Sequence, residues 1–465
     1  MNNPFPHSSP ALTPPLDPDF RPAALANRAF LRSVGAAGVP LIIGLERENG
    51  ELSRYETRVY PEGHPHAAEN LYYAERLVKF LLWARGGYRV YVGGPAAIGA
   101  YIQQAYSAAG ARRFDITFMG EQVYQQTFTV LPCRAEDVPP ARENGRRLGQ
   151  NLDGARIGFD LGASDRKVSA VLNGQVLFSE EVVWEPRKHS DPGYHYREVL
   201  AAVQDAARHL PRVDAIGGSS AGIIINNRPM VASLFRGIPP ERFDEIRDLF
   251  VRIGAEFNVP IEVINDGDVT ALAGSMSLEE NGVLGIALGS SEAAGYVDQN
   301  GRILGWLNEL AFAPVDYNPN APVDEWSGDA GCGALYFSQQ CAFRLAPKAG
   351  LAVPPDVTDA EKLKYLQGCL EAGHPGAAQV WESMGIYLGY GLAHYADFYD
   401  AQHVLILGRC TSGKGGDILL ERANAVLQTE FPELSRRLHI QLPDEKSRRV
   451  GQSIAAASLP MISKE

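Results

Sequence analysis

The stretch INDGDVTALAG, residues 264–274, places an Asn-Asp pair between an apolar run and a helix-like segment. Upstream, the apolar run at residues 157–161 ends in a polar turn with a glycine. The stretches at residues 283–291 and 403–413 repeat this pattern downstream. Apolar runs that end in such turns indicate strands whose carboxyl ends carry polar groups. In this order, the four stretches predict a cleft that holds a nucleotide's phosphates around a catalytic carboxylate.

The composition restricts the class of protein. A chain of 465 residues is long enough for two or three domains. The net charge of −12 argues against nucleic acid as the main partner, because phosphate contacts need a basic surface. The five cysteines are scattered without a CxxC pair, which favours thiols in a reducing compartment. Because neither a membrane-length apolar run nor a secretory signal is found, we expect a cytoplasmic protein without membrane contact.

Four segments are predicted along the chain. Residues 1–35 form a proline-rich arm, either mobile or lying along a surface. Residues 36–150 form an α/β module of unknown role, with a hairpin at 37–60, a helix at 67–85 and a strand at 114–118. Residues 151–272 and 273–465 each begin with a β-turn-β unit followed by helices, so we expect two related lobes around a cleft. The last helix, at 446–458, is expected to cross back to the first lobe.

The first polar turn contains Asp160, Leu161 and Gly162. A carboxylate at a strand end would hold Mg²⁺ through water, because Mg²⁺ keeps much of its hydration shell and takes few protein ligands. The neighbouring glycine would let backbone amides approach an anion. The alternative is an ordinary hairpin whose aspartate simply tolerates the turn.

The Asn265-Asp266 pair follows an apolar strand, and the carboxyl ends of such strands are where α/β folds bind ligands. We expect Asp266 to accept a proton from a substrate hydroxyl and Asn265 to orient that hydroxyl. The alternative is that an aspartate only caps the following helix. We assign the cap to Asp268 and the base to Asp266.

Two further turns are rich in small residues. Gly289, Ser290 and Ser291 would cradle phosphates with amides and hydroxyls, although alone they are an unremarkable Gly/Ser turn. Residues 408–416 join a strand to a helix and would admit a flat base against the backbone, with the helix N-terminus near phosphate. This loop comes close to a Walker A motif, but Gly415 stands where that motif needs a hydroxyl, and we interpret the match as chance.

Taken together, Asp160-Leu161-Gly162, Asn265-Asp266, Gly289-Ser290-Ser291 and Leu407-Gly408 resemble the ROK family of sugar kinases and repressors. The resemblance covers residues from about 155 to 465. It implies an α/β, two-lobed, actin-like (ribonuclease-H-like) ATPase fold, here with an additional N-terminal α/β module. Two phosphate elements and one adenosine element would bind ATP, with the residues Asp160, Gly162, Ala163, Ser164, Gly289, Ser290, Ser291, Gly408, Thr411, Ser412 and Gly413. Asp266 would be the catalytic base, and the acceptor would contact Asn265, Glu309 and Ser220.

The chain departs from the family pattern around the expected sugar site. Residues 306–312 fall where the family has a Gly-Glu-x-Gly-His segment, and Glu309 is kept while Phe312 replaces the histidine. Only Cys332 remains of a CxCGxxGC zinc segment, so we expect no structural zinc. Ala334 lies where a further sugar-binding glutamate is expected. These departures put glucose in doubt as the substrate and leave the phosphotransfer residues in place.

From these observations we expect ATP- and Mg²⁺-dependent phosphorylation of a hydroxyl on a sugar or sugar-like polyol. The alternative is a non-catalytic sugar- or nucleotide-binding regulator on the same fold, because a fold alone does not imply activity. The N-terminal module shows no compact basic recognition helix, which argues against a repressor. We further expect a homodimer.

Overall fold

A computed structural model describes residues 9–143, 145–146, 148–162, 165–442 and 445–462. Ala163 and Ser164, two of the predicted phosphate-binding residues, lie outside the described residues. The strands are β1 (Val39–Glu46), β2 (Leu52–Val59), β3 (Arg89–Gly93), β4 (Thr129–Cys133), β5 (Ala155–Leu161), β6 (Asp165–Leu172), β7 (Gln175–Val183), β8 (Ala215–Ser220), β9 (Ile223–Ile225), β10 (Arg228–Val231), β11 (Ile261–Asn265), β12 (Val283–Leu288), β13 (Glu292–Val297), β14 (His403–Leu407) and β15 (His439–Gln441). The helices are α1 (Ala23–Val34), α2 (Glu69–Arg85), α3 (Ala96–Ala105), α4 (Arg113–Thr117), α5 (Pro192–Ala207), α6 (Asp244–Arg247), α7 (Leu249–Phe257), α8 (Asp266–Leu278), α9 (Gln339–Leu345), α10 (Asp359–Glu371), α11 (Pro375–Tyr395), α12 (Lys414–Glu430), α13 (Pro432–Arg437) and α14 (Glu445–Ala457).

The chain divides into two compact units, each built from separate stretches of sequence. Unit 1 contains Met1–Asn144, Ile286–Ala294 and Gly305–Leu442. Unit 2 contains Gly145–Gly285, Gly295–Leu304 and Pro443–Glu465. None of the described helices is both long and apolar enough to cross a membrane.

Unit 2 is organised around a five-stranded sheet with the order β11-β8-β5-β6-β7. The strands β5, β8 and β11 are parallel neighbours, and β5, β6 and β7 form the predicted antiparallel meander. Apolar residues of β5 and β8 pack with α5 and α7 in one buried cluster that includes Ile157, Phe159, Val203 and Phe250. The meander prediction is confirmed, because turn residues such as Asn173 and Gly174 separate its strands.

The C-terminal helix α14 packs on the sheet of unit 2, where two glycines let it approach. A side chain at Gly217 would place its Cβ atom 1.7 Å from the carbonyl oxygen of Ala456. A side chain at Gly158 would come within 2.1 Å of the carbonyl oxygen of Ser453. The helix therefore lies directly on the backbone of β5 and β8.

Unit 1 contains the N-terminal α/β region, whose sheet has the order β2-β1-β3-β4. The predicted hairpin is confirmed, with β1 and β2 antiparallel. The predicted strand at 114–118 is wrong, because residues 114–117 lie within helix α4 and residue 118 begins a further helical turn. The alternating sequence misled the prediction, since its polar residue Asp115 is buried rather than exposed. Lys79 and the indole N–H of Trp83 donate to Asp115 at 3.1 and 2.8 Å.

The second sheet has the order β13-β12-β14-β15, and β14 and β15 lie wholly in unit 1. Helices α11 and α12 pack against each other in the same unit. The described part of the N-terminal arm lies along α11. Tyr387 donates to the Asp17 carboxylate at 2.6 Å, and the ring of Phe20 packs edge-on against Tyr387 at 4.7 Å. Residues 23–34 of the predicted arm form helix α1.

Candidate active site

In unit 2, the predicted residues of the first and second motifs meet at one edge of the sheet. Asp160 on β5 pairs in register with Ser219 on β8, and Ser220 pairs with Asn265 on β11. Because these strands are parallel, their carboxyl ends lie at the same edge, which is where open α/β sheets bind ligands. Asp266 follows β11 directly and is the first residue of α8.

Asp160 is a buried carboxylate with one firm partner. The hydroxyl of Ser219 donates to its Oδ1 atom at 2.6 Å. The ammonium of Lys167 is 3.9 Å from its Oδ2 atom and closer, at 3.2 Å, to Asp165. Burial raises the pKa of Asp160, and the Ser219 hydrogen bond and the Lys167 charge offset this only in part. The negative charge at this position is therefore incompletely compensated by the described residues.

Asp266 has a pKa raised to about 6, first by burial and second by the negative charge of Asp160. Hydrogen bonds from backbone amides, including the Gly267 N–H at 3.0 Å, oppose the rise. A carboxylate with a pKa near 6 is ionised at neutral pH and is a better proton acceptor than an ordinary aspartate.

Asn265 caps helix α8, which corrects the prediction that Asp268 has this role. The Gly267 N–H donates to the side-chain oxygen of Asn265 at 2.7 Å, as expected for an N-cap residue. The side-chain amide of Asn265 donates to the carbonyl of Gly222 at 2.8 Å. Asp268 instead accepts from the Tyr296 N–H at 3.2 Å. A sequence pattern cannot separate two neighbouring residues that both cap well, and Asn265 stands one position before the helix.

Ser220 and Gly162 occupy the same edge with different surroundings. The hydroxyl of Ser220 is fully buried and has no hydrogen-bond partner within the described part of the chain. Such an orphaned group is rare, and its hydrogen-bonding capacity stays open to a ligand or water. The N–H of Gly162 already donates to the carbonyl of Asp165 at 2.9 Å. A phosphate at this turn would therefore need donors other than the Gly162 amide.

In unit 1, the second phosphate element and the adenosine element are neighbours, because β12 and β14 are adjacent in the sheet. Gly408 has φ of 95°, and a side chain there would come within 2.4 Å of the carbonyl of Leu288. Only glycine fits at this position, and its close approach to Leu288 brings the loop after β14 next to the loop after β12. Ser290 and Ser291 are exposed beside Gly289. Their hydroxyls are placed where a phosphate can reach them from solvent.

The rest of the adenosine element has mostly structural contacts. The hydroxyl of Thr411 donates to the carbonyl of Gly408 at 2.8 Å and fixes the turn. Gly413 precedes α12, and the Glu371 carboxylate accepts from the N–H of Lys414 at 3.0 Å. Glu371 thus occupies part of the helix N-terminus that was expected to lie near phosphate. Ser412 and Gly413 are exposed.

Residues 306–312, which we call the acceptor segment, lie in unit 1 against the end of α2. The N–H of Glu309 donates to the carbonyl of Trp83 at 3.0 Å. The ring of Phe312 packs on the ring of Trp83 with centroids 4.3 Å apart. Glu309 is half-buried. Phe312 belongs to an aromatic cluster, which also contains Phe114 and Phe118.

Sequence reasoning missed Glu292, a buried glutamate at the start of β13. Tyr395 donates to its Oε1 atom at 2.8 Å, and its Oε2 atom has no partner in the described structure. Burial, with a smaller contribution from the charge of Glu309, raises the pKa of Glu292 to about 8 against the opposing hydrogen bond from Tyr395. The carboxyl group is therefore protonated at neutral pH. A charged residue that opens the apolar run at 292–297 was the available signal.

Where a zinc segment was considered, the structure has ion pairs instead. Asp329 accepts from Arg76 at 2.9 Å, from Arg112 at 2.9 Å and lies 3.4 Å from Lys79. Cys332 is buried nearby, and burial raises the pKa of its thiol to about 12. Among the residues that the structure covers, no three His, Cys, Asp or Glu side chains are grouped to hold a metal ion.

Comparison with known proteins supports the fold. No protein-family model matches the chain, and no curated protein sequence does. A ROK family glucokinase from Streptomyces griseus, solved with glucose and AMPPNP, is 20% identical with a TM-score of 0.50, covering 65% of this chain and 99% of its own. A ROK family transcriptional regulator, a homolog of the E. coli MLC protein, is 18% identical with a TM-score of 0.51, covering 66% of this chain and 79% of its own. The predicted α/β, two-lobed actin-like fold is confirmed, and identities of this size speak to the fold alone.

Proposed function

With a fold shared by ROK sugar kinases and regulators, we propose that this chain is an ATP-dependent carbohydrate kinase. The observation that carries the proposal is Asp266, an aspartate with a pKa of about 6 at the carboxyl end of β11. It lies at the same sheet edge as the buried carboxylate of Asp160. One carboxylate suited to proton transfer beside another suited to a cation is the pairing that phosphoryl transfer to an alcohol uses.

The proposed step moves one phosphoryl group and one proton. The acceptor hydroxyl oxygen forms a bond to the γ-phosphorus of ATP as the bond from that phosphorus to the β,γ-bridging oxygen breaks. The hydroxyl proton passes to the Asp266 carboxylate, and ADP leaves with the electrons of the broken bond. Phosphoryl transfer depends mainly on positioning and charge stabilisation, so few side chains need direct chemical roles.

The carboxylate oxygens of Asp160 are suited to bind a hydrated Mg²⁺ ion. Its Oδ2 atom has only the distant Lys167 ammonium as a contact among the residues described, and its charge is incompletely compensated. Mg²⁺ commonly binds one or two carboxylates and keeps several waters, so no larger ligand group is required. When bound, the ion would neutralise phosphate charge. The small residues Gly289, Ser290 and Ser291, with Gly408 beside them, would hold the nucleotide.

On the acceptor side, we assign hydrogen bonds to Glu309, Ser220 and Asn265. The unpartnered hydroxyl of Ser220 is a group that a sugar hydroxyl would satisfy, and Glu309 is half-buried. Asn265 keeps one amide hydrogen beyond its bond to Gly222, and that hydrogen is its means of contacting the acceptor. The aromatic position of Phe312 favours an acceptor with an apolar face, a deoxy carbon or an N-acyl methyl. A cytoplasmic homodimer remains our expectation.

The second candidate is a sugar- or nucleotide-binding regulator without turnover. Phe312 and Ala334 favour it, because two polar positions expected to contact a sugar are apolar here. The retained Asp160 and Asp266 favour the kinase. A regulator that only binds its ligands does not need a base with a pKa near neutrality.

The test is ATP turnover with a panel of aldoses, N-acylated sugars, deoxy sugars and polyols, followed by ³¹P NMR of the product. A kinase gives stoichiometric ADP and a new phosphomonoester with at least one acceptor. Binding of sugar or nucleotide by calorimetry without ADP formation would establish the regulator instead. The Asp266→Asn variant must lose the activity, and Asp268→Asn, the same change two residues away, is the matched control.

A further inference from the structure

The N-terminal region of unit 1 holds the acceptor segment directly. The N–H groups of Asn308 and Glu309 donate to the carbonyls of Ala84 and Trp83, at 2.9 and 3.0 Å. These carbonyls belong to the last turn of α2, where helical carbonyls lack partners within the helix. The end of α2 and the acceptor segment thus satisfy each other's backbone groups.

A second connection joins the middle of α2 to the chain that follows the acceptor segment. Asp329 is paired with Arg76, Lys79 and Arg112, and all four side chains are largely buried. The residues that follow Asp329 pair with the residues that follow the acceptor segment, through an isolated antiparallel bridge between Cys332 and Pro314. The Gly333 N–H donates to the carbonyl of Ala313 at 3.0 Å, and Ala313 follows Phe312 directly.

Asp329 is firmly ionised in this surrounding. Burial alone would raise the pKa of Asp329, but the charges of Arg76 and Lys79 outweigh it and lower the pKa. A carboxylate that is shared by three buried cations has a strongly restricted position. Residues that touch a substrate need rigid support of this kind if they are to hold it in a fixed geometry.

We propose that α2 positions the acceptor segment, with Asp329 as the positioning residue that links α2 to residues 324–333. The inference rests on the proposed function for the identity of the segment, and it adds a role for the N-terminal region in acceptor binding. Asp329 touches neither the acceptor nor ATP and acts through the position of Glu309.

The substitution Asp329→Asn tests this role without leaving buried cations unpaired. Arg76 keeps Glu75 at 2.7 Å, Lys79 keeps Asp115 at 3.1 Å, and Arg112 keeps Glu75 as a partner. We therefore expect the variant to fold. The matched control is Asp397→Asn, which removes the Asp397 partner of Arg28 at 2.7 Å in the same unit and does not touch the acceptor segment. Asp329→Glu, which keeps the charge, should restore part of the function.

Two measurements separate positioning from simple stability. In Asp329→Asn, hydrogen exchange at the amides of Asn308 and Glu309 should speed up at least about tenfold, and the acceptor KM should rise about tenfold with a much smaller change in kcat and in the KM for ATP. Asp397→Asn should change neither. Wild-type exchange rates at these two amides in Asp329→Asn would overturn the proposal, as would an equal loss of kcat and acceptor binding. Hydrogen exchange reports on the link even if the acceptor assay detects no kinase, so failure of the proposed function is seen separately.

Discussion

Replacing Asp266 with asparagine is the sharpest test of the proposed chemistry, because it removes the base and keeps the shape. The asparagine oxygen can still accept the Gly267 N–H that Asp266 accepts at 3.0 Å. Helix α8 should persist, since its cap is Asn265. We expect kcat to fall at least about a hundredfold, the size of a general-base contribution, while the Kd for nucleotide stays near that of the wild type.

The raised pKa gives this prediction a second, independent signature. With a pKa of about 6, the ionised fraction of Asp266 is about nine-tenths at pH 7 and about one-tenth at pH 5. The wild-type rate should therefore fall about tenfold between pH 7 and pH 5, and the residual rate of Asp266→Asn should lack this acidic limb. Initial rates by coupled detection of ADP, in a constant-ionic-strength buffer series, provide the measurement.

The same substitution should stabilise the fold at neutral pH. The pKa of Asp266 rises from 3.8 to about 6, which corresponds to about 3 kcal/mol of penalty on the ionised form. This penalty develops as the pH rises from 3.8 through about 6, because there the unfolded chain is ionised and the folded one is not. Asp266→Asn should thus be more stable than the wild type at pH 7.5 and nearly equal at pH 4 in urea unfolding. Near-normal turnover in this variant, with an unchanged acidic limb, would refute the reasoning.

Four other expectations are open to measurement. The raised pKa of Glu292 should contribute a loss of stability between pH 4.5 and about 8, and Glu292→Gln should remove that contribution from the melting profile. Gly217→Ala should cost about 1–3 kcal/mol or more in unfolding free energy, because its Cβ would lie 1.7 Å from an oxygen of α14, whereas Gly368→Ala, with open space around it, should cost nothing measurable. Elemental analysis should find no tightly held zinc, and one zinc per chain would show that another ligand set exists. Comparison of kcat/KM should place N-acylated, deoxy or polyol acceptors above glucose, and a clear preference for glucose would contradict the role given to Phe312.

Local sequence patterns were sufficient for the parts of the fold that local physics decides. The β5-β6-β7 meander and the β1-β2 hairpin follow from apolar alternation with Asn-Gly turns, and both are observed. Asp160 and Asp266 meet at one edge because β5, β8 and β11 are parallel, an order that the strand-turn pattern alone did not specify.

Features that depend on contacts between residues far apart in the chain could not be predicted from local sequence patterns. The segment at 114–118 alternates like a strand, but Asp115 is buried by Lys79 and Trp83, which lie on another helix. The ion pairs at Asp329 join residues about 250 positions apart, and no periodicity reports such contacts. Similarly, Asp268 was a reasonable cap by residue type, and only the backbone register shows that Asn265 has that position.

The placement of α14 on unit 2 has a consequence for synthesis of the chain. The strands of unit 2 are made early, yet the helix that covers Gly158 and Gly217 is encoded at residues 445–457. Until those residues leave the ribosome, the backbone of β5 and β8 at these two glycines is exposed, because the helix that covers this face of the sheet has not been made. All of unit 1 after residue 305 is translated in the interval. Nascent unit 2 should therefore be a chaperone client from the synthesis of β8 until α14 emerges, and ribosome-bound chains that stop before α14 should be digested by protease within the 155–220 region.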